Sequence, residues 1–290
     1  MNPVNIKYAT GFHTERQMVS NLLAADVEAA LEAAFDGDDD ELLVVDPAAE
    51  TIVSLVETAV GWDDLPKLSM LADERTLKDV LDDFVVASRA ADLVADGDLD
   101  IRVLDGEVDN ALFVSPSRVV ALVTAGEGVA ALSTDDAEFV EEVYETQRAA
   151  FDDAEAYALR TPAIARVRET LESEIGEEAR SDFDAVLDAT ERDDGVDLDE
   201  VTVSLLVAAK NDVLLYDISK WGEDVGIASK ATFSRTKTRL EDQGIIDTEK
   251  VPIDVGRPRL RLKLGDDRLR DIDAAELAAE AAEMLAATPA

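Results

Sequence analysis

No cysteine occurs in the 290 residues, which excludes disulfides, thiolate nucleophiles and cysteine-built zinc sites. Histidine is nearly as scarce. His13 stands alone, so a metal centre or a Ser-His-Asp triad would hang on one residue ahead of the first helix, where an exposed polar role is the simpler reading. The sequence has no signal-peptide pattern and no run of 18 apolar residues, so a soluble, intracellular chain without membrane contact is expected. Positive charge is short too, with 27 Lys and Arg against 66 Asp and Glu and a net charge of −39.

Hydrophobic residues nevertheless make up 47% of the chain, so the acidity is not a mark of disorder. A dense carboxylate surface, with 18 Arg to 9 Lys, is expected of a protein kept hydrated in molar intracellular salt, as in a haloarchaeal cytoplasm. The length suits two domains, each with its own core.

From Thr14 to Phe35 the apolar positions Met18, Leu22, Leu23, Val27, Leu31 and Phe35 fall at helical spacing and predict an amphipathic helix. Leu42 to Val45 then reads as a strand, Ala48 to Val60 as a helix and Leu68 to Leu71 as a second strand. Helical periodicity returns from Thr76 to about Leu93. Strands follow at Asp100 to Leu104, Ala111 to Val114 and Val119 to Thr124. Residues 1–134 are therefore expected to form an α/β domain, a parallel or mixed sheet with flanking helices, for sensing or dimerisation. Residues 135–196 read as a helix-rich linker, in which the charged helix from Asp135 to about Tyr157 bridges domains or pairs with a copy of itself. The stretch 266–290 reads as a C-terminal helix and a possible oligomer contact.

Residues 197–265 carry the clearest pattern. Val201, Leu205, Leu206 and Ala209 share one helical face; Leu215, Ile218, Trp221 and Val225 share another, ended by Gly226. Ser229 suits the N-cap of a third helix in which Phe233 and Leu240 face inward. Lys230, Thr232, Ser234, Arg235, Lys237, Thr238 and Arg239 are assigned to its outer face. Short hydroxyls and long cations on one helix face suit phosphate and base-edge contacts in a major groove. A hairpin follows. Arg259, Arg261 and Lys263 alternate with Leu260, Leu262 and Leu264, and the turn Val255-Gly256-Arg257-Pro258 presents Arg257 at its tip, as a wing would. Residues 227–263 hold nine basic and five acidic side chains, a net +4 inside a strongly acidic chain. That is the electrostatic footprint of a nucleic-acid surface.

The run from Ser229 to Ile246, with Val255-Gly256-Arg257-Pro258-Arg259 after it, resembles the recognition helix and wing of archaeal winged-helix regulators. With the acidic α/β region ahead of it, the layout resembles the TbsP-like transcriptional regulators of haloarchaea. The resemblance implies a cytoplasmic, DNA-binding, non-enzymatic protein linked to sugar metabolism. Double-stranded promoter DNA is then the expected partner, a homodimer the expected form, and no cofactor is required. For the front domain, Arg75 and Thr76 at one strand end, with Ser115, Ser117 and Arg118 between two strands, are candidates for an anionic effector such as a sugar phosphate. Surface ion pairs would equally explain those arginines. Asp46 occupies the strand-end position of a receiver phosphoacceptor or phosphatase nucleophile, but the accompanying acidic cluster and lysine are not apparent. The competing reading is a sugar-phosphate- or nucleotide-processing enzyme whose winged helix serves protein contact.

Overall fold

The computed structural model describes residues 21–22, 39–62, 65–106, 108, 110–125, 128–192, 198–252 and 258–287. His13 and most of the helix expected over 14–35 lie outside them. The described part of that stretch, β1 (Asn21–Leu22), is not helical: it pairs antiparallel with β7 (Gly128–Thr134).

Among the described residues, the first half of the chain builds a mixed sheet of seven strands. The others are β2 (Glu41–Val45), β3 (Lys67–Ala72), β4 (Leu99–Val103), β5 (Ala111–Val114) and β6 (Val119–Ala125), and the order across the sheet is β1-β7-β6-β5-β2-β3-β4. The β2, β3 and β4 strands run parallel, while β5, β6 and β7 form an antiparallel meander attached to β2. Leu42 to Val45 are buried without interruption, the pattern of a parallel strand covered on both faces. On one face α1 (Ala49–Val60), α2 (Glu74–Val80) and α3 (Phe84–Asp96) bury Ile52, Leu55, Leu77 and Ala87 against Leu42, Val44 and Met70. The helix expected from Thr76 to Leu93 is thus two helices, because Asp83 caps a fresh start by accepting from the amides of Val85 (2.8 Å) and Val86 (3.0 Å).

The opposite face is covered by α4 (Ala137–Asp153), whose Val140 and Phe151 pack on Leu43, Val45 and Val114. Cations hold this helix down. Arg102 of β4 lies 4.6 Å from the Phe151 ring centroid and donates to the carbonyls of Phe151, Asp152 and Ala154 at 3.1, 3.1 and 3.3 Å, where the helix leaves its last acceptors open. Glu41 accepts from Ser69 (2.7 Å) and Tyr144 (2.9 Å) and pairs with Arg148 (3.1 Å).

A second core is built from α5 (Ile164–Glu174), α6 (Glu177–Arg192), α7 (Glu200–Lys210), α8 (Leu215–Val225), α9 (Lys230–Asp242), β8 (Ile246–Val251), β9 (Arg259–Leu264) and α10 (Ala274–Ala287). Two expectations are corrected here. Residues 135–196 are not one linker, since the apolar side of α4 belongs to the sheet while Val167, Leu171, Phe183 and Val186 belong to the second core. The apolar side of α10, Leu277, Ala278 and Ala281, is spent inside the same core instead of being offered to a second copy.

Candidate nucleic-acid interface

Helices α7, α8 and α9 with the β8–β9 hairpin form a winged helix-turn-helix. The crossing of α8 and α9 depends on one small residue: a Cβ on Gly222 would stand 2.3 Å from Cζ of Phe233, which is fully buried. Gly226 then adopts φ 100° as the α8 cap, and the Gly222 carbonyl accepts from the amides of Gly226 (3.2 Å) and Ile227 (2.8 Å), turning the chain sharply. Ser229 caps α9 by accepting from the Thr232 amide at 3.2 Å. In the hairpin Ile246 pairs with Leu264 and Val251 with Arg259, and Leu214 bridges to Arg261 from the loop between α7 and α8. Leu262 and Leu264 are buried, while Leu260 is only half-buried. The domain is seated on α5, because the Trp221 indole donates to Thr170 Oγ1 at 3.0 Å.

The outward side of α9 presents Ser234, Arg235, Thr238 and Arg239, with Lys230 and Thr232 at its first turn. Arg235 is exposed, makes no ion pair among the described residues, and reaches only Thr232 Oγ1 at 3.3 Å. Its neighbours are engaged. Lys230 bonds Glu223, which holds the ammonium proton more firmly than usual and draws the Glu223 carboxyl below its ordinary range. Arg239 reaches Asp199 (3.4 Å) and Thr202 (3.1 Å) at the start of α7.

Lys237 is a correction to the expected outer face. It is 9% exposed and pairs at 2.5 Å with Glu241, whose other oxygen accepts from Thr248 at 2.7 Å. It ties α9 to β8. Its spacing from Phe233 and Leu240, four and three residues, places it on the inward side.

On the hairpin, Arg259 reaches Asp217 (3.4 Å) and stacks 4.2 Å from the centroid of the Tyr216 ring. Lys263 pairs with Asp212 at 3.0 Å and with Glu249 at 3.8 Å. Arg261 is half-buried and makes no ion pair among the described residues. Arg257 lies outside the described residues. The sequence reading passed over Tyr216, 48% exposed at the start of α8, since its partner is 43 residues away.

The effector candidates are not brought together. Arg75 and Thr76 follow the carboxyl end of β3, whereas Ser115, Ser117 and Arg118 follow β5, which runs antiparallel to β2 and so ends at the opposite edge of the sheet. At about 3.3 Å per residue, the five residues of β2 put those edges about 15 Å apart. Each set is also locally satisfied. Asp73 accepts from the Arg75 and Thr76 amides at 3.0 and 2.9 Å, and those bonds lower its pKa; Ser117 donates to Asp39 at 2.6 Å, and Ser115 is fully buried.

Comparison with known proteins follows this division. The family described as "Transcriptional regulator TbsP-like, N-terminal" matches residues 19–162, and the one described as "Transcriptional regulator TbsP-like, C-terminal HTH domain" matches residues 163–282. No curated protein matches the chain. A solved structure, described as "Structure of TrmBL2, an archaeal chromatin protein, shows a novel mode of DNA binding", is 19% identical over 46% of this chain, with a TM-score of 0.34. This chain spans 52% of that protein, a likeness too slight to bear on function. The family matches run without a gap from residue 19 to residue 282, and the chain belongs to the TbsP-like transcriptional regulators.

Proposed function

We propose that this regulator reads double-stranded promoter DNA with α9 in the major groove and the β8–β9 hairpin against the neighbouring backbone, two protomers binding an inverted repeat. One observation carries the reading. Arg235 is an exposed guanidinium on the outward face of α9, without an ion pair among the described residues of a chain of net charge −39, and it is flanked by Ser234 and Thr238. A guanidinium so placed suits bidentate contact with guanine or phosphate. The flanking pairs of Lys230, Arg239, Arg259 and Lys263 are all 38% exposed or more on both sides. Exposed pairs contribute little to stability, so these cations can exchange a carboxylate for a phosphate at small cost.

The setting we propose is a haloarchaeal cytoplasm. There a Debye length of about 3 Å in molar salt screens the acidic body from the duplex, and specificity rests on close contacts more than on counterion release. Control of sugar and central carbon metabolism, through an anionic metabolite acting on the front domain, completes the proposal.

The test is fluorescence anisotropy on promoter fragments in molar potassium chloride. Arg235→Ala is expected to weaken specific binding by about tenfold or more while leaving the melting temperature unchanged. Equal affinity for wild type and variant overturns the placement of α9.

A further inference from the structure

One edge of the sheet is β4, and the segment joining the two halves of the chain runs along it. The Val103 amide donates to the Glu155 carbonyl and the Tyr157 amide to the Ile101 carbonyl, both at 2.8 Å, before the chain enters α5. Between this segment and α2, at the carboxyl end of β4, lies a cavity of about 570 Å³. That volume suits a small metabolite, and the carboxyl ends of parallel strands are where open α/β sheets seat ligands.

Its lining is divided in chemistry. Lys78 comes from α2 and Arg160 from the joining segment. Lys78 pairs with Glu74 at 2.6 Å, which strengthens its hold on its proton, while Arg160 is near enough to oppose that hold. Arg160 makes no ion pair among the described residues, in a chain with 66 acidic side chains. Two cations within electrostatic reach of each other favour an anion between them. The remaining polar lining is the Tyr157 phenol and Thr161 hydroxyl with three carboxylates, Asp82, Glu155 and the Glu74 that pairs with Lys78, suited to a hydroxyl-bearing body and unsuited to a second anionic group.

We propose that this cavity binds a small phosphorylated sugar or polyol, with Lys78 and Arg160 holding the phosphate and the carboxylates accepting from its hydroxyls. This deepens the effector reading given above and moves the site to the junction of the two halves. A ligand there would join α2 to the segment entering α5, the helix on which Trp221 and the reading head are seated.

Calorimetry on the full chain in molar potassium chloride, with glucose 6-phosphate, glucose and inorganic phosphate as separate titrants, tests the site. The sugar phosphate is expected to bind at least about tenfold more tightly than the other two, and Lys78→Ala and Arg160→Ala each to lower its affinity by about tenfold. Both side chains are exposed, so circular dichroism and melting temperature should match wild type. Binding of none of the three, equal binding of inorganic phosphate, or unchanged affinity in both variants overturns the proposal. A parallel titration with promoter DNA separates the two readings: a chain that binds DNA and no titrant loses only the effector site, whereas one that binds sugar phosphate and no DNA loses only the reading head.

Discussion

Two groups of cations, one in each half of the molecule, are used in opposite ways. In the α/β half, Arg102 and Arg148 lie against Phe151 and are spent on helix-end carbonyls and on Glu41, with side chains 25% and 32% exposed. In the winged helix Lys230, Arg239, Arg259 and Lys263 stand at the surface, and their carboxylate partners are about as exposed as they are. Residue type is shared and burial is not. A half-buried cation satisfying main-chain oxygens is part of the fold, while an exposed one facing an exposed acid is held weakly enough to change partners.

Three substitutions sharpen this contrast. The largest effect is expected where the reading head has no freedom at all: Gly222→Val drives its side chain into the Phe233 ring and should cost about 3 kcal/mol, read as a lower melting temperature and loss of promoter binding together. A variant whose head melts as wild type would break the description of the α8–α9 crossing. Next, Arg102→Ala leaves three carbonyls at the end of α4 without their donor and should cost about 2 kcal/mol, measured by urea denaturation. A cost below about 0.5 kcal/mol, the ordinary range for an exposed site, would erase the distinction between the two halves.

The smallest effect concerns Asp46, which ends β2 with φ 47°. Burial, and then the charge of Asp73, raise its pKa above the ordinary 3.8. A carboxyl with a raised folded-state pKa favours folding below its unfolded value and loses that contribution as pH rises through the folded value. Asp46→Asn, which also tolerates the left-handed backbone, should therefore be the more stable protein at neutral pH, with the gain vanishing as pH falls below about 4. A pH-independent difference between the two melting curves would remove titration as the cause.

Much of this was legible in the sequence. The helix-turn-helix followed from the 3.6-residue repeats and Gly226, and the hairpin from strict alternation over 259–264, because each is set by neighbours a few residues apart. The β7 strand escaped notice because Gly128-Val-Ala-Ala-Leu-Ser-Thr134 has one β-branched residue before its end and no clean alternation. What sequence spacing does not reveal is pairing at a distance. Arg259 finds Asp217 across 42 residues and Arg239 finds Asp199 across 40, so an expected row of free cations became a largely engaged one, with the exposed Arg235 and the half-buried Arg261 left over. The burial of Lys237 was different, since its place between Phe233 and Leu240 was written in the helical repeat. The cavity at the junction joins Lys78 to Arg160, which no local pattern connects.

The carboxylates beside the reading face have a consequence for selectivity. With α9 docked as proposed, Glu223, Asp199, Asp217 and Asp212 already hold the cations that phosphate oxygens of a duplex would claim, so an arbitrary stretch of DNA that merely displaces them trades one charge contact for another and gains little. Under that proposal discrimination falls to Arg235, which has no carboxylate to relinquish among the described residues, and to whichever base edge its guanidinium meets. On that proposed docking, the acidic surface acts as a built-in competitor that silences indiscriminate adhesion and leaves the fitting sequence to stand out.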